Sequence, residues 1–204
     1  MSSVDLHCKV VLLGDNFVGK TCLILRYIHG RFPVMVNATI GASMNEKKEQ
    51  IDNKEVTLNI WDTAGHERYN SLTQMYYRKA NAVIICYDVT SRESFDKARY
   101  WLQEVLKTEK DCKIYLCETK MDLVDENQHC REVDLTTTMA LAEDYKAPIY
   151  KTSSKTGENI DVLFKKIAED YVTAMHSMEQ LDMDDSIRLF RDRTPSIRRG
   201  CYLM

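Results

Sequence analysis

The 204-residue chain has no apolar run near the roughly 18 residues that a membrane-crossing helix requires, so no bilayer span is expected. Its opening stretch, Met1-Ser2-Ser3-Val4-Asp5-Leu6-His7, lacks the charged and apolar regions of a secretory leader. There is no Cys-x-x-Cys pair, and the cysteine count of 7 is odd, so neither a disulfide framework nor a zinc site is indicated. Cys86 and Cys117 sit inside apolar runs and read as small buried hydrophobes, which suits a reducing, cytosolic compartment. A global basic excess is also missing. The formal net charge is −3, so nothing in the overall field points to nucleic acid. No internal repeat is visible.

What is present is an ordinary globular balance, 44% hydrophobic and 29% charged, on a length suited to one domain plus a tail. Three short runs, Val10 to Leu13, Ala82 to Tyr87 and Ile114 to Cys117, are apolar on both faces, as strands covered on both sides by helices must be. Val56 to Trp61 alternates instead. It follows the turn signal Asp52-Asn53-Lys54 and the segment Met44 to Ile51, so the two read as a hairpin at a sheet edge. Helical spacing is expected over Lys20 to Ile28, Ser94 to Leu106, Asp134 to Tyr145 and Asn159 to Met175. Strands alternating with helices give a doubly wound α/β domain, whose ligands gather at the C-terminal ends of the strands. The domain is expected to span residues 1–178. From there to residue 204 the periodicity fades, and a flexible tail is expected.

Gly14-Asp15-Asn16-Phe17-Val18-Gly19-Lys20-Thr21 matches G-x-x-x-x-G-K-[ST] and lies between the first apolar run and a helix, the context that phosphate-loop motif needs. Glycines let the backbone curl so that successive N–H groups face phosphate oxygens, and the helix N-terminus adds its positive end. Lys20 can reach the outer phosphates, and the Thr21 hydroxyl can ligate Mg²⁺. A chance glycine turn would not be expected in this strand–loop–helix setting. The loop alone does not separate ATP from GTP.

Asp62-Thr63-Ala64-Gly65 ends the alternating strand. A carboxylate there can hold Mg²⁺, and the Gly65 N–H can meet a γ-phosphate. Thr119-Lys120-Met121-Asp122 follows the Ile114 run, and an aspartate there can accept from both N1–H and the 2-amino group of guanine, a pair that adenine lacks. The Lys120 stem can lie along the base plane. Thr152-Ser153-Ser154-Lys155 can bring backbone N–H groups to guanine O6. Taken alone, Asp122 reads equally well as a helix cap and Lys155 as a solvated charge. Their order after a phosphate loop favours the nucleotide.

These four motifs, in this order and spacing, resemble the Ras superfamily. Ile60-Trp61-Asp62-Thr63-Ala64-Gly65, Arg68 to Thr73, Tyr76-Tyr77-Arg78 and Cys86-Tyr87-Asp88-Val89-Thr90 resemble the Rab family within it. The likeness covers residues 7 to 175, and Tyr115-Leu116-Cys117, Thr119-Lys120 and Thr152 to Gly157 look most like one atypical branch of the Rabs. The resemblance implies a phosphate-loop NTPase small G domain, with a mostly parallel six-stranded sheet and helices on both faces. It also implies GTP and GDP as ligands, with Mg²⁺. The nucleotide would meet Gly14, Asp15, Asn16, Phe17, Val18, Gly19, Lys20, Thr21 and Cys22, then Phe32, Thr39, Gly65, Thr119, Lys120, Asp122, Ser153, Ser154 and Lys155. Thr39 looks like the switch I threonine that joins Thr21 and Asp62 on the metal. Residues 63–78 look like switch II. Ile40, Trp61, Tyr76 and Tyr77 resemble the surface that effectors read in the GTP state. Lys20, Thr39, Gly65 and the residue at position 66 would carry hydrolysis. Implied partners are effectors, an exchange factor, an activating protein, and a GDP-dissociation inhibitor or escort protein. The implied setting is the cytosolic face of endomembranes, with late endosomal or autophagic membranes among the candidates.

The sequence also departs from that family. His66 stands where glutamine usually orients the attacking water, and an imidazole has a different reach. Asn16 and Phe17 fill loop places where small residues are common, so Asn16 would crowd the same water and any incoming arginine. Slow hydrolysis and a long-lived GTP state are expected. The alternatives are a serviceable histidine, or a GTP-loaded recruiter with nearly no turnover. An ATP-dependent kinase or a signal-recognition GTPase fits the phosphate loop alone and is disfavoured by Asp122 and by the Rab-like stretches. Thr119 replaces the usual asparagine, with little or modest loss of affinity and no loss of guanine preference expected, and Met44 replaces a phenylalanine, which bears on effector choice. Finally, Cys201-Tyr202-Leu203-Met204 has the C-a-a-X form of a prenylation site, although Tyr202 is not aliphatic. One chain anchors weakly, and Arg188, Arg191, Arg193, Arg198 and Arg199 could add attraction to anionic lipid. The alternative is an unmodified thiol.

Overall fold

The computed structural model describes residues 6–33, 35, 37–65 and 70–192. Leu6–Gly14 forms β1, the central strand. Its even and odd residues leave on opposite faces, as a two-residue repeat requires. Leu6, Cys8, Val10 and Leu12 enter one buried cluster, while Val11 and Leu13 enter the other. The first cluster lies beneath α1 (Lys20–His29) and α6 (Ile160–Asp192). The second lies beneath α3 (Arg92–Thr108), α4 (Met121–Glu126) and α5 (Leu135–Asp144). Burying both faces explains why β1, β4 (Ala82–Asp88) and β5 (Lys113–Thr119) read as unbroken apolar runs.

The sheet order is β2-β3-β1-β4-β5-β6, with β2 (Ala42–Ile51) antiparallel to β3 (Lys54–Thr63) and every other pairing parallel. The expected edge hairpin is therefore present. It turns on Asp52 and Asn53, and Asp52 takes φ +51°, a conformation that short-side-chain aspartate tolerates. β6 is short, Ile149–Lys151, and closes the other edge. The six-stranded, mostly parallel α/β architecture expected of a small G domain is thus observed.

α3 starts where Ser91 caps it, its side chain accepting from the Ser94 N–H at 3.2 Å, a cap of about 1 kcal/mol. Phe95, Ala98, Trp101, Leu102 and Val105 form its buried stripe, as their spacing predicts. On the other face, Tyr27 of α1 stacks on Phe164 of α6, ring centroids 3.9 Å apart. The backbone of α6 continues to Asp192, past the expected domain limit at residue 178. Residues 178–192 contain neither glycine nor proline, the strongest helix breakers, so the backbone chemistry permits the helix to continue there. Two helices have no counterpart in the sequence reading, α2 (Asn70–Tyr77) and α4. Both are too short to display a period.

Candidate functional site

The C-terminal ends of β1, β3, β4 and β5 converge on one rim of the sheet, and the motif residues gather there. β1 ends at Gly14, with φ +147°. A Cβ on Gly14 would lie 2.2 Å from the Cys86 carbonyl oxygen of β4, so glycine is imposed by strand spacing as well as by the turn. The loop then runs into α1, whose first turn has no side-chain cap, leaving its N–H groups for a ligand. Phe17 takes φ +58° and is 82% exposed, so only its backbone faces the loop interior. Lys20 is buried, and its Nζ donates to the Gly14 and Asp15 carbonyls at 2.9 and 2.8 Å. Burial pushes its pKa down, while Cys86, Asp62 and Asp15 pull it up. An anion seated in the loop would hold that ammonium charged.

Beside Lys20, three oxygen-bearing side chains from three different segments meet. Thr21 Oγ1 donates to Asp62 Oδ2 at 2.6 Å, Thr39 Oγ1 approaches the same oxygen at 3.3 Å, and the two hydroxyls are 3.0 Å apart. Asp62 Oδ1 is buried with no hydrogen-bond partner. Burial pushes the Asp62 carboxyl above its usual range, against the Thr21 hydrogen bond and Lys20. A buried carboxylate with one oxygen unpaired and two hydroxyls on the other is the donor set that a small hard cation takes. Mg²⁺ therefore fits the residues present. A cavity of about 160 Å³ opens here, lined by Asn16, Lys20, Thr21, Cys22, Thr39 and Gly65 among others.

Gly65 closes the opposite wall. A Cβ there would lie 2.4 Å from the Asn16 nitrogen and 2.5 Å from the Asp15 carbonyl carbon and oxygen, so the chain touches the phosphate loop at its backbone. The Ala64 N–H donates to the Gly41 carbonyl at 2.8 Å, tying the segment that bears Gly65 to the segment that bears Thr39 and Ile40. His66 lies outside the described residues, as does Cys201.

The second half of the rim carries the base-reading candidates. Asp122 Oδ1 accepts from Ser153 Oγ at 2.6 Å, and Asp122 Oδ2 is 3.8 Å from Lys155 Nζ. One oxygen is thus aimed by a hydroxyl, and the carboxylate edge stays partly open. Lys155 Nζ also pairs with Glu126 at 2.8 Å. Ser154 follows in the same turn. Thr119 Oγ1 lies 2.6 Å from the Val18 carbonyl and 3.0 Å from the Tyr87 carbonyl. Its single proton serves one of them at a time, so this threonine still ties β5 to the phosphate loop. Lys120 has φ +61° and its Nζ contacts Asp88 Oδ2 at 2.6 Å. Sequence reading missed Asp88. Its position at the end of β4, directly across from Thr119 in the sheet, is the signal that could have found it.

At the outer surface, Ile40 is 87% exposed and Phe32 is exposed. Trp61 is half-buried, with the Tyr76 ring 5.9 Å away and Lys9 Nζ 5.5 Å from its own ring centroid. Tyr77 corrects the expectation. It is 3% exposed and belongs to the core beneath α3. Neighbouring positions on a helix point about 100° apart, so Tyr77 can turn into the core while Tyr76 stays half-buried beside Trp61.

Among comparisons with known proteins, the Ras family profile matches residues 9–173. The Ras-related protein Rab-24 of Dictyostelium discoideum is 44% identical over 171 residues, 84% of each chain. The Ras-related protein Rab-37 of Homo sapiens is 40% identical over 170 residues, 82% of this chain and 74% of that protein. The Ras-related protein Rab-26 of Bos taurus is 40% identical over 168 residues, 81% of this chain and 64% of that protein. With this match across most of its length, the chain belongs to the Rab family of Ras-related small GTPases.

Proposed function

We propose that this chain is a GTP-operated switch of membrane traffic which binds GTP or GDP with Mg²⁺, recruits effectors when GTP is bound, and hydrolyses GTP slowly. The observation that carries the reading is the meeting of Thr21 and Thr39 at Asp62 Oδ2, with the other carboxylate oxygen, Oδ1, buried and unpaired.

Lys20 and the loop N–H groups hold the outer phosphates, and the Gly65 N–H reads the γ-phosphate. Thr21, Thr39 and Asp62 would hold Mg²⁺, which would supply positive charge to neutralise the phosphate chain. Thr39 and Gly65 sit on two segments already joined by the bond from Ala64 to Gly41. Loss of the γ-phosphate would free both, and with them Ile40, Trp61 and Tyr76, the surface for effectors. Asp122, aimed by Ser153, selects guanine, with the backbone of Ser153 to Lys155 meeting O6. His66 holds the water-positioning place and does so poorly, which sets the slow rate. The G domain ends near residue 178, and the segment beyond it carries a prenyl group on Cys201 that returns the protein to the cytosolic face of endomembranes. Exchange factor, activating protein and GDP-dissociation inhibitor or escort protein complete the cycle.

The test is release of a fluorescent GDP from the purified full chain. Release should speed up sharply when EDTA removes Mg²⁺, and excess ATP should fail to compete. Release indifferent to EDTA, or equal competition by ATP, would overturn the reading.

A further inference from the structure

A buried ion pair lies behind the base-reading rim and has no part in the site described so far. Glu118 is 0% exposed and Arg131 only 15%. Arg131 Nη1 and Nη2 donate to Glu118 Oε1 and Oε2 at 3.3 and 3.2 Å, a two-pronged contact. Tyr87 donates its phenol proton to Glu118 Oε1 at 2.8 Å, and Thr138 Oγ1 lies 3.3 Å from the same oxygen. Burial, then the neighbouring Glu118 charge, pushes the Tyr87 phenol up, so it stays a donor. A charge pair held this far from water is costly to build and, on its own, weak ground for stability. Its placement suggests a different use.

Glu118 immediately precedes the Thr119–Asp122 turn. Its carbonyl accepts from the Thr152 N–H at 2.7 Å and the Thr152 Oγ1 at 3.0 Å, joining β5 to the second base loop. Arg131 reaches the far side of the turn, with Nη2 3.4 Å from Met121 Sδ, and donates to the Val133 carbonyl at 2.9 Å. The pair therefore grips Glu118 and Met121, the residues on either side of Thr119 and Lys120. Lys120 is held between them at φ +61°, a left-handed conformation that costs a side-chain-bearing residue energy unless its neighbours enforce it. Asp122 is the next residue after Met121, and its partner Ser153 is the next after Thr152.

We propose that the Glu118–Arg131 pair is a positioning device for guanine selection: it clamps the Thr119–Asp122 turn from behind and so keeps the Asp122 carboxylate in register with the guanine edge. This rests on the reading of Asp122 as the guanine acceptor. Inosine diphosphate lacks the 2-amino group, so it needs one of the two Asp122 hydrogen bonds and gains less from a well-placed carboxylate.

The test compares release rates of GDP and inosine diphosphate from wild type, Arg131→Lys and Glu118→Gln, with thermal melting measured alongside. Arg131→Lys keeps a cation beside Glu118 but loses the two-pronged grip and the reach to Met121. GDP release should rise about tenfold and inosine diphosphate release less than about threefold, so the preference shrinks. Glu118→Gln should shift the ratio the same way. If both nucleotides leave faster by the same factor, the pair supports only the fold, and the proposal is wrong. Unchanged rates for both would overturn it equally. A wild type that releases GDP and inosine diphosphate alike would overturn the Asp122 reading itself and the pair's role with it.

Discussion

At the scale of single residues, the site is a set of oxygens and nitrogens whose needs are met only in part by the protein itself. Asp62 Oδ1 lacks a partner, whereas Asp62 Oδ2, Thr21 and Thr39 share theirs. Asp122 is different, because Ser153 fixes one of its oxygens at 2.6 Å. Asp122→Asn keeps the shape but offers an amide donor toward the guanine 2-amino group, itself a donor. GTP affinity should fall by about 1.5–3 kcal/mol, roughly tenfold to a hundredfold, while xanthosine triphosphate, with a carbonyl at that place, should gain. Competition binding with the two nucleotides checks this. Unaltered GTP preference would mean that Asp122 does not face the base. These motif residues were legible because each motif is a contiguous segment. Asp88 with Lys120, and Glu118 with Arg131, were not, since only the pairing of β4 with β5 and the packing of the following loop bring such distant positions together.

At the scale of elements, helix and strand positions that follow a long period were readable. The α3 stripe and the edge hairpin appear where the spacing places them. Short elements were not readable, and α2 shows the consequence. Eight residues do not reveal which face is inward, and Tyr76 and Tyr77 could not be separated on sequence. Packing separates them. Tyr77→Ala should cost about 3–5 kcal/mol of stability by urea unfolding, as removal of a large buried ring does. Tyr76→Ala should cost only the pairing with Trp61, about 0.5–1.5 kcal/mol. Its main effect should be on effector binding in the GTP state, by about 2 kcal/mol or more if it is a contact centre, read by pull-down or calorimetry. The reverse pattern of stability losses would contradict the assignment.

At the scale of the whole molecule, the nucleotide rim and the C-terminal segment lie at different ends of the chain's work. The rim sits on the sheet, whereas α6 carries the chain away through Asp192. A chain ended after residue 178 should fold and bind GDP within about twofold of full length, because the two regions share no residues of the site. It should also stay in the soluble fraction of cells. Full-length Cys201→Ser should show the same loss of membrane association with nucleotide binding intact, and unchanged fractionation would remove the lipid anchor from the account. No helix among the described residues is long and apolar enough to cross a membrane, so membrane contact in this account rests on that one thiol and the arginines before it.

The rate at which the switch resets joins all three scales. The most direct measurement is single-turnover hydrolysis of radiolabelled GTP by the purified protein, wild type beside His66→Gln. A slow wild type and a faster variant are expected, because a glutamine amide can both donate to and accept from the attacking water. A wild type as fast as the variant would contradict it, leaving an ordinary cycling GTPase in which His66 is no brake.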